Sequence, residues 1–148
     1  MQVDAPKPHT SNGGLSRDRR RHHLEQILLA VLAEEKFEDP RWTSFSVVFS
    51  STASGRNFGN SGYAYGEGND WWAVSFPVVQ VREPITNFMR ESLGIIPEGL
   101  CRVLLQYDRG TRRGRLVNEF RQPERWTVTP ENARNMVAEL KPRFDEVS

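Results

Sequence analysis

Histidine and cysteine, the side chains from which most metal and nucleophile sites are built, are scarce in this chain of 148 residues. The one cysteine, Cys101, cannot close an internal disulfide, so the composition carries no mark of an oxidising compartment. Its neighbours Arg102, Val103, Leu104 and Leu105 read as a strand, which makes Cys101 a buried thiol that packs like a small hydrophobe. A nucleophilic cysteine would need a base beside it. The only histidines are His9, His22 and His23, all near the N-terminus. There is no cysteine pair and no HxxxH spacing, and the adjacent His22 and His23 point about 100° apart on a helix, so no zinc site is expected.

Long apolar runs are also missing. None approaches the roughly 20 residues that span a bilayer. The opening Met1-Gln2-Val3-Asp4-Ala5-Pro6 lacks the basic-then-apolar pattern of a secretory signal. No membrane partner is expected, and the expected location is the cytoplasm. A strong charge of one sign is absent too: the formal net charge is +1, which hides local basic clusters.

What is present suits one soluble domain of α+β class. The length fits one core, and the hydrophobic share of 37% and charged share of 26% are those of a globular chain. Residues 1–14, with Pro6, Pro8, Gly13 and Gly14 among polar residues, read as a flexible tail before a single domain over 15–148. Ser16 is a plausible N-cap for a first helix, and Leu24, Ile27, Leu28, Val31 and Leu32 form its apolar stripe. Phe45, Val47 and Phe49 alternate with mostly polar neighbours in a first strand. Ser54–Asn57 makes a turn into a glycine-rich strand with Tyr63 and Tyr65. Gly66–Asp70 turns again into a strand of Trp72, Val74 and Phe76, which Pro77 ends.

Glu83-Pro84 is expected to open a second helix, with Gly94 as its C′ residue and a loop over 95–99. Cys101 to Tyr107 and Leu116 to Phe120 form a hairpin whose long tip, Asp108 to Gly114, is basic. Thr129-Pro130-Glu131 is expected to start a last helix with Ala133, Met136, Val137 and Leu140 on its apolar side. The order α-β-β-β-α-β-β-α predicts an antiparallel sheet of about five strands, with the helices packed on one side.

Catalytic arrangements do not assemble from this order. Gly66-Glu67-Gly68-Asn69-Asp70-Trp71 begins like a phosphate loop but lacks the third glycine and precedes a strand, where no helix amides could hold an anion. Glu34, Glu35, Glu38 and Asp39 lie in a polar stretch with Lys36 and read as solvated surface. Neither an enzyme nor a cofactor is expected. Two basic features stand out instead: Arg17, Arg19, Arg20, Arg21, His22 and His23 at the start of the first helix, and Arg109, Arg112 and Arg113 at the hairpin tip. Cations at a helix N-terminus oppose its dipole, at a cost of only tenths of a kcal/mol each. Loops on rigid hairpins commonly carry recognition, and Arg, Tyr and Trp are enriched where interfaces are strongest. The expected partner-binding residues are therefore Arg109, Arg112 and Arg113, joined by Tyr63, Tyr65, Asp70 and Trp71. A nucleic acid is not the expected partner, since no basic-glycine-aromatic strand motif occurs.

The hairpin Leu104-Leu105-Gln106-Tyr107-Asp108 to Gly114-Arg115-Leu116-Val117-Asn118-Glu119-Phe120 is followed by Pro123-Glu124-Arg125-Trp126-Thr127-Val128-Thr129-Pro130-Glu131-Asn132. A helix then closes with Leu140-Lys141-Pro142-Arg143. This layout, over roughly residues 40–145, resembles the YezG-like immunity proteins of bacterial polymorphic toxin systems and their actinobacterial relatives. The resemblance implies an immunity protein (antitoxin) that binds a cognate toxin domain and blocks its active site, with no catalytic residues of its own. The toxins of such systems include nucleases and NAD-degrading enzymes. An adaptor or chaperone-like binder of a secreted protein, or a nucleic-acid-binding module, are the other readings of the same surface. One departure is the charge: inhibitors of basic nucleases are often acidic because opposite charge speeds encounter, whereas this chain is near neutral with basic clusters.

Overall fold

The computed structural model describes residues 15–51, 58–93, 101–119 and 126–143. The expected tail 1–14, the turn Ser54–Asn57, Gly94 with the loop after it, and Phe120 lie outside the described residues.

Helix α1 (Arg17–Leu32) starts where the sequence marks it, with the Ser16 hydroxyl accepting from the Arg19 amide at 3.1 Å. A single 3-10 turn, Glu35–Glu38, leads to β1 (Ser44–Ser51), β2 (Gly59–Tyr65) and β3 (Trp71–Val74). After α2 (Val78–Leu93) come β4 (Cys101–Asp108), β5 (Arg113–Glu119) and α3 (Ala133–Leu140). The five strands form one antiparallel sheet in the order β3-β2-β1-β4-β5, as the α+β order predicts.

Strand alternation divides the side chains between two faces. Phe45, Val47 and Phe49 share one face with Val103, Leu105 and Leu116, across the pairings Val47↔Leu105 and Leu105↔Leu116. Ile27 and Val31 of α1 and Val81, Ile85, Phe88 and Met89 of α2 join them in the main core. The expectation that all helices share one side is corrected here: α3 packs on the opposite face. There Tyr63, Tyr65 and Leu104 meet Trp126, Met136, Val137 and Leu140. The polar face of β1 is thus covered, with Ser44, Ser46 and Gln106 buried. Side chains of β2 and β4 on the same face serve the carbonyls that a helix leaves unpaired at its C-terminal end. Tyr65 donates to the Val137 carbonyl at 2.6 Å and Gln106 Nε2 to that of Leu140 at 2.8 Å.

Two helix starts also differ from expectation. Helix α2 begins at Val78, so Pro84 sits inside it. The stripe of Ile85, Phe88 and Met89 extends back one turn to Val81, and that burial draws the preceding residues into the helix. The proline leaves only the carbonyl of Gln80, an exposed residue, without its helical donor. Helix α3 begins at Ala133 because Thr129 is occupied in a tight turn before it: the Thr129 amide donates to Asn132 Oδ1 at 2.7 Å, and the Asn132 amide to Thr129 Oγ1 at 3.2 Å. Strand β3 ends at Val74, two residues before Phe76, but the Asn60 side chain continues the pairing by binding both the amide (2.7 Å) and the carbonyl (3.0 Å) of Phe76.

Candidate functional site: a basic, aromatic end of the sheet

Backbone bonds bring the two expected recognition regions to the same end of the sheet. The Thr43 amide donates to the Tyr65 carbonyl at 2.6 Å, and the Arg109 amide to the Thr43 carbonyl at 2.8 Å. The β2–β3 turn and the β4–β5 tip therefore flank the start of β1. Asp70 is the last residue of the first turn, closed by the Gly66 amide on the Asp70 carbonyl at 3.0 Å, with Gly68 at φ 63°.

The hairpin tip is shorter than expected. Arg113 already pairs with Asp108, so only Arg109–Arg112 turn. The Asp108 carboxylate accepts from the amide (2.9 Å) and hydroxyl (2.8 Å) of Thr111 and holds the turn shut. Arg112, exposed, takes the left-handed conformation at φ 59°. Arg109 folds back: its guanidinium lies 4.2 Å above the Trp42 ring and donates to the Trp42 carbonyl at 3.0 Å. It pins the segment before β1 as well as adding charge to the rim. Arg41 sits nearby, 5.3 Å over the Trp72 ring and paired with Asp39 at 2.6 Å. Hydrogen bonds from Arg41 hold the Asp39 carboxyl down at about 2.

Tyr63, Tyr65, Asp70 and Trp71, the other four expected contacts, line one hollow of about 830 Å³ between the sheet and α3. Register puts Tyr63, Tyr65 and Trp71 on the α3 face and turns Trp72 to the opposite one. Trp71 is 49% exposed and meets the Tyr63 ring edge-on at 5.5 Å. Tyr65 lies deeper. Its hydroxyl is committed to Val137, and burial pushes the phenol up to about 12, so it stays a donor at any working pH. The opposite wall is formed by Arg134, Lys141 and Arg143 from α3 and its exit, which are not among the expected contacts. Lys141 Nζ stands 5.7 Å from the Tyr65 ring centre, and Arg143 donates to the Ala138 carbonyl at 3.1 Å. The signal was a cluster of cations around the end of a helix, but only the fold sets them against Tyr65.

The basic run of α1 divides differently. Arg19 pairs with Glu91 of α2 at 2.6 Å, His23 is buried with Nε2 3.1 Å from the same carboxylate, and Arg20 reaches the Leu116 carbonyl while stacking on Phe88. These three join α1 to α2 and β5, leaving Arg17, Arg21 and His22 exposed. Among the described residues no three His, Cys, Asp or Glu side chains stand close enough to hold a metal ion, and no helix is long and apolar enough to cross a membrane. No family model, curated protein or solved structure matches the chain.

Proposed function

We propose that this chain is an immunity protein: it binds a cognate toxin domain and covers that domain's active site, using the end of the sheet that carries Trp71 at one edge and the Arg109–Arg113 tip at the other. The observation that supports the reading is this shared end. A half-exposed tryptophan and an arginine-bearing turn, four strand spacings or about 19 Å apart across one end of a rigid antiparallel frame, supply residue types enriched in protein–protein hot spots. Steric occlusion needs no catalytic group, only a surface of fixed shape. The layout of the hairpin and last helix, which resembles the YezG-like immunity proteins, supports a toxin as the partner. The basic rim favours an acidic surface around the toxin's active site.

The test is capture followed by rescue. The tagged chain is purified from its host, and the co-purifying protein is then expressed alone and together with it. Growth arrest by the partner alone, relieved by co-expression, is the expected result. Trp71→Ala and Arg112→Gly should weaken the rescue. The glycine suits φ 59° and removes the charge without disturbing the turn. A stoichiometric partner that is harmless when expressed alone would replace immunity with the adaptor reading.

A further inference from the structure

The hollow beside Tyr65 does not end at Tyr63. That ring also lines a second hollow of about 540 Å³, which continues along β3 past Ala73 to Ser75, Trp126 and Val128. The two form a trough between α3 and the edge strand β3. It runs from Trp71 along β3 to Ser75 just beyond it, four rises of roughly 3.3 Å, or about 13 Å.

Its walls have a definite chemistry. Among the lining residues the cations are Arg134, Lys141 and Arg143 at one end and Lys36 at the other; the one anion is Asp70, whose field Arg41 shares. The middle is apolar, with Tyr63, Ala73 and Leu140. Trp71 and Val128, two large apolar side chains that stay 49% and 41% exposed, stand on the trough. Exposed apolar groups between separated cations complement a ligand that is acidic at its ends and apolar at its centre.

We propose that this trough seats an extended acidic segment of the partner protein, about five residues long, with an aromatic or aliphatic side chain over Tyr63 and Asp or Glu toward Arg134, Lys141 and Lys36. The proposal rests on the binding reading above and names the partner's chemistry. A polypeptide fits better than a nucleic acid, because a phosphodiester chain carries a charge at every link and would place anions on the apolar middle.

The test uses the full chain and two fluorescein-labelled peptides, Asp-Glu-Phe-Glu-Asp and Lys-Arg-Phe-Arg-Lys, read by fluorescence anisotropy. The acidic peptide should bind saturably and the basic one should not. Affinity should fall at least about tenfold in Trp71→Ala and in the double variant Arg134→Glu with Lys141→Glu. Each variant should still unfold in one cooperative transition, with little change in midpoint for Trp71→Ala because that ring is half-exposed, and a modest fall for the double variant because Lys141 is half-buried against Tyr65. Loss of binding on raising salt would support the charge complementarity. Failure of the acidic peptide to bind, equal binding by the variants, or preference for single-stranded oligothymidylate would each overturn the proposal. The peptide assay needs no toxin, and the rescue assay needs no peptide. Rescue without peptide binding would therefore remove the acidic segment and leave the immunity reading, and the reverse result would do the opposite.

Discussion

At the residue scale, single side chains here have roles that their neighbours in sequence do not announce. Gly62 is the sharpest case. A Cβ built at this position would lie 2.1 Å from the Ser46 carbonyl oxygen and 2.7 Å from Val47 Cα, so β1 and β2 approach more closely than any side chain allows. Both contacts are backbone and cannot yield without moving a strand. Gly62→Ala is expected to destabilise the fold by roughly 3 kcal/mol, the upper part of the range for overpacking, measured as a drop in urea midpoint at unchanged slope. The glycines of β2 were visible in the sequence, but which of them the packing requires depends on the pairing Val47↔Gly62. Phe37 makes the same point from the other side. It sits in a run of acids that reads as surface, yet it is buried and stacks on Phe45 at 4.7 Å. One aromatic residue among charges has no periodicity, so nothing local marks it as core.

At the element scale, α1 and α2 are joined by charge as well as by their apolar stripes. Glu91 lies between Arg19 and His23, and the hydrogen bonds from Arg19 hold its carboxyl at about 2, below the usual 4.5. A carboxyl whose folded value is depressed contributes stability that is present above about 4.5 and lost as the pH falls from there to about 2. Asp39, held down by Arg41, adds to the same acid decline. Glu91→Gln is expected to lower the melting temperature at neutral pH modestly, given the exposure of the pair, and to flatten part of the fall between pH 4.5 and 2. Parallel curves for the two proteins across that window would reject the linkage. The strand and helix identities were legible because apolar periods of two and of three to four are local properties. The start of α2 was not, because a proline suggests a boundary by its own chemistry, while the burial of Val81 three residues earlier overrides it.

At the scale of the whole molecule, the two faces of the sheet are covered differently. The α1–α2 face is filled by large side chains and includes Cys101, fully buried. The thiol should therefore react with an aromatic disulfide reagent only when the domain opens. Labelling is expected to be slow in buffer and to accelerate with urea in parallel with unfolding, whereas fast labelling at zero denaturant would place Cys101 in a locally open strand. Among the described residues the α3 face carries one helix, of eight residues, with the trough beside it, which leaves room for a partner without disturbing the main core.

The order of elements, the antiparallel class of the sheet, the Ser16 cap and the inward faces of β1, β3 and β4 were all legible before folding, since each follows from spacing over a few residues. The sequence also singled out Tyr63, Tyr65, Asp70 and Trp71 as a group, because turns and aromatics are local signals. The crossing of α3 to the polar face of β1 has no such local signal. A run of serines and a glutamine looks solvated until Tyr65 and Gln106 are seen to serve the carbonyls of that helix. The same crossing sets Arg134, Lys141 and Arg143 against Tyr63, Tyr65 and Trp71. Charges some 70 residues from those rings carry no pattern that a local reading could detect, and their juxtaposition is a property of the chain path alone.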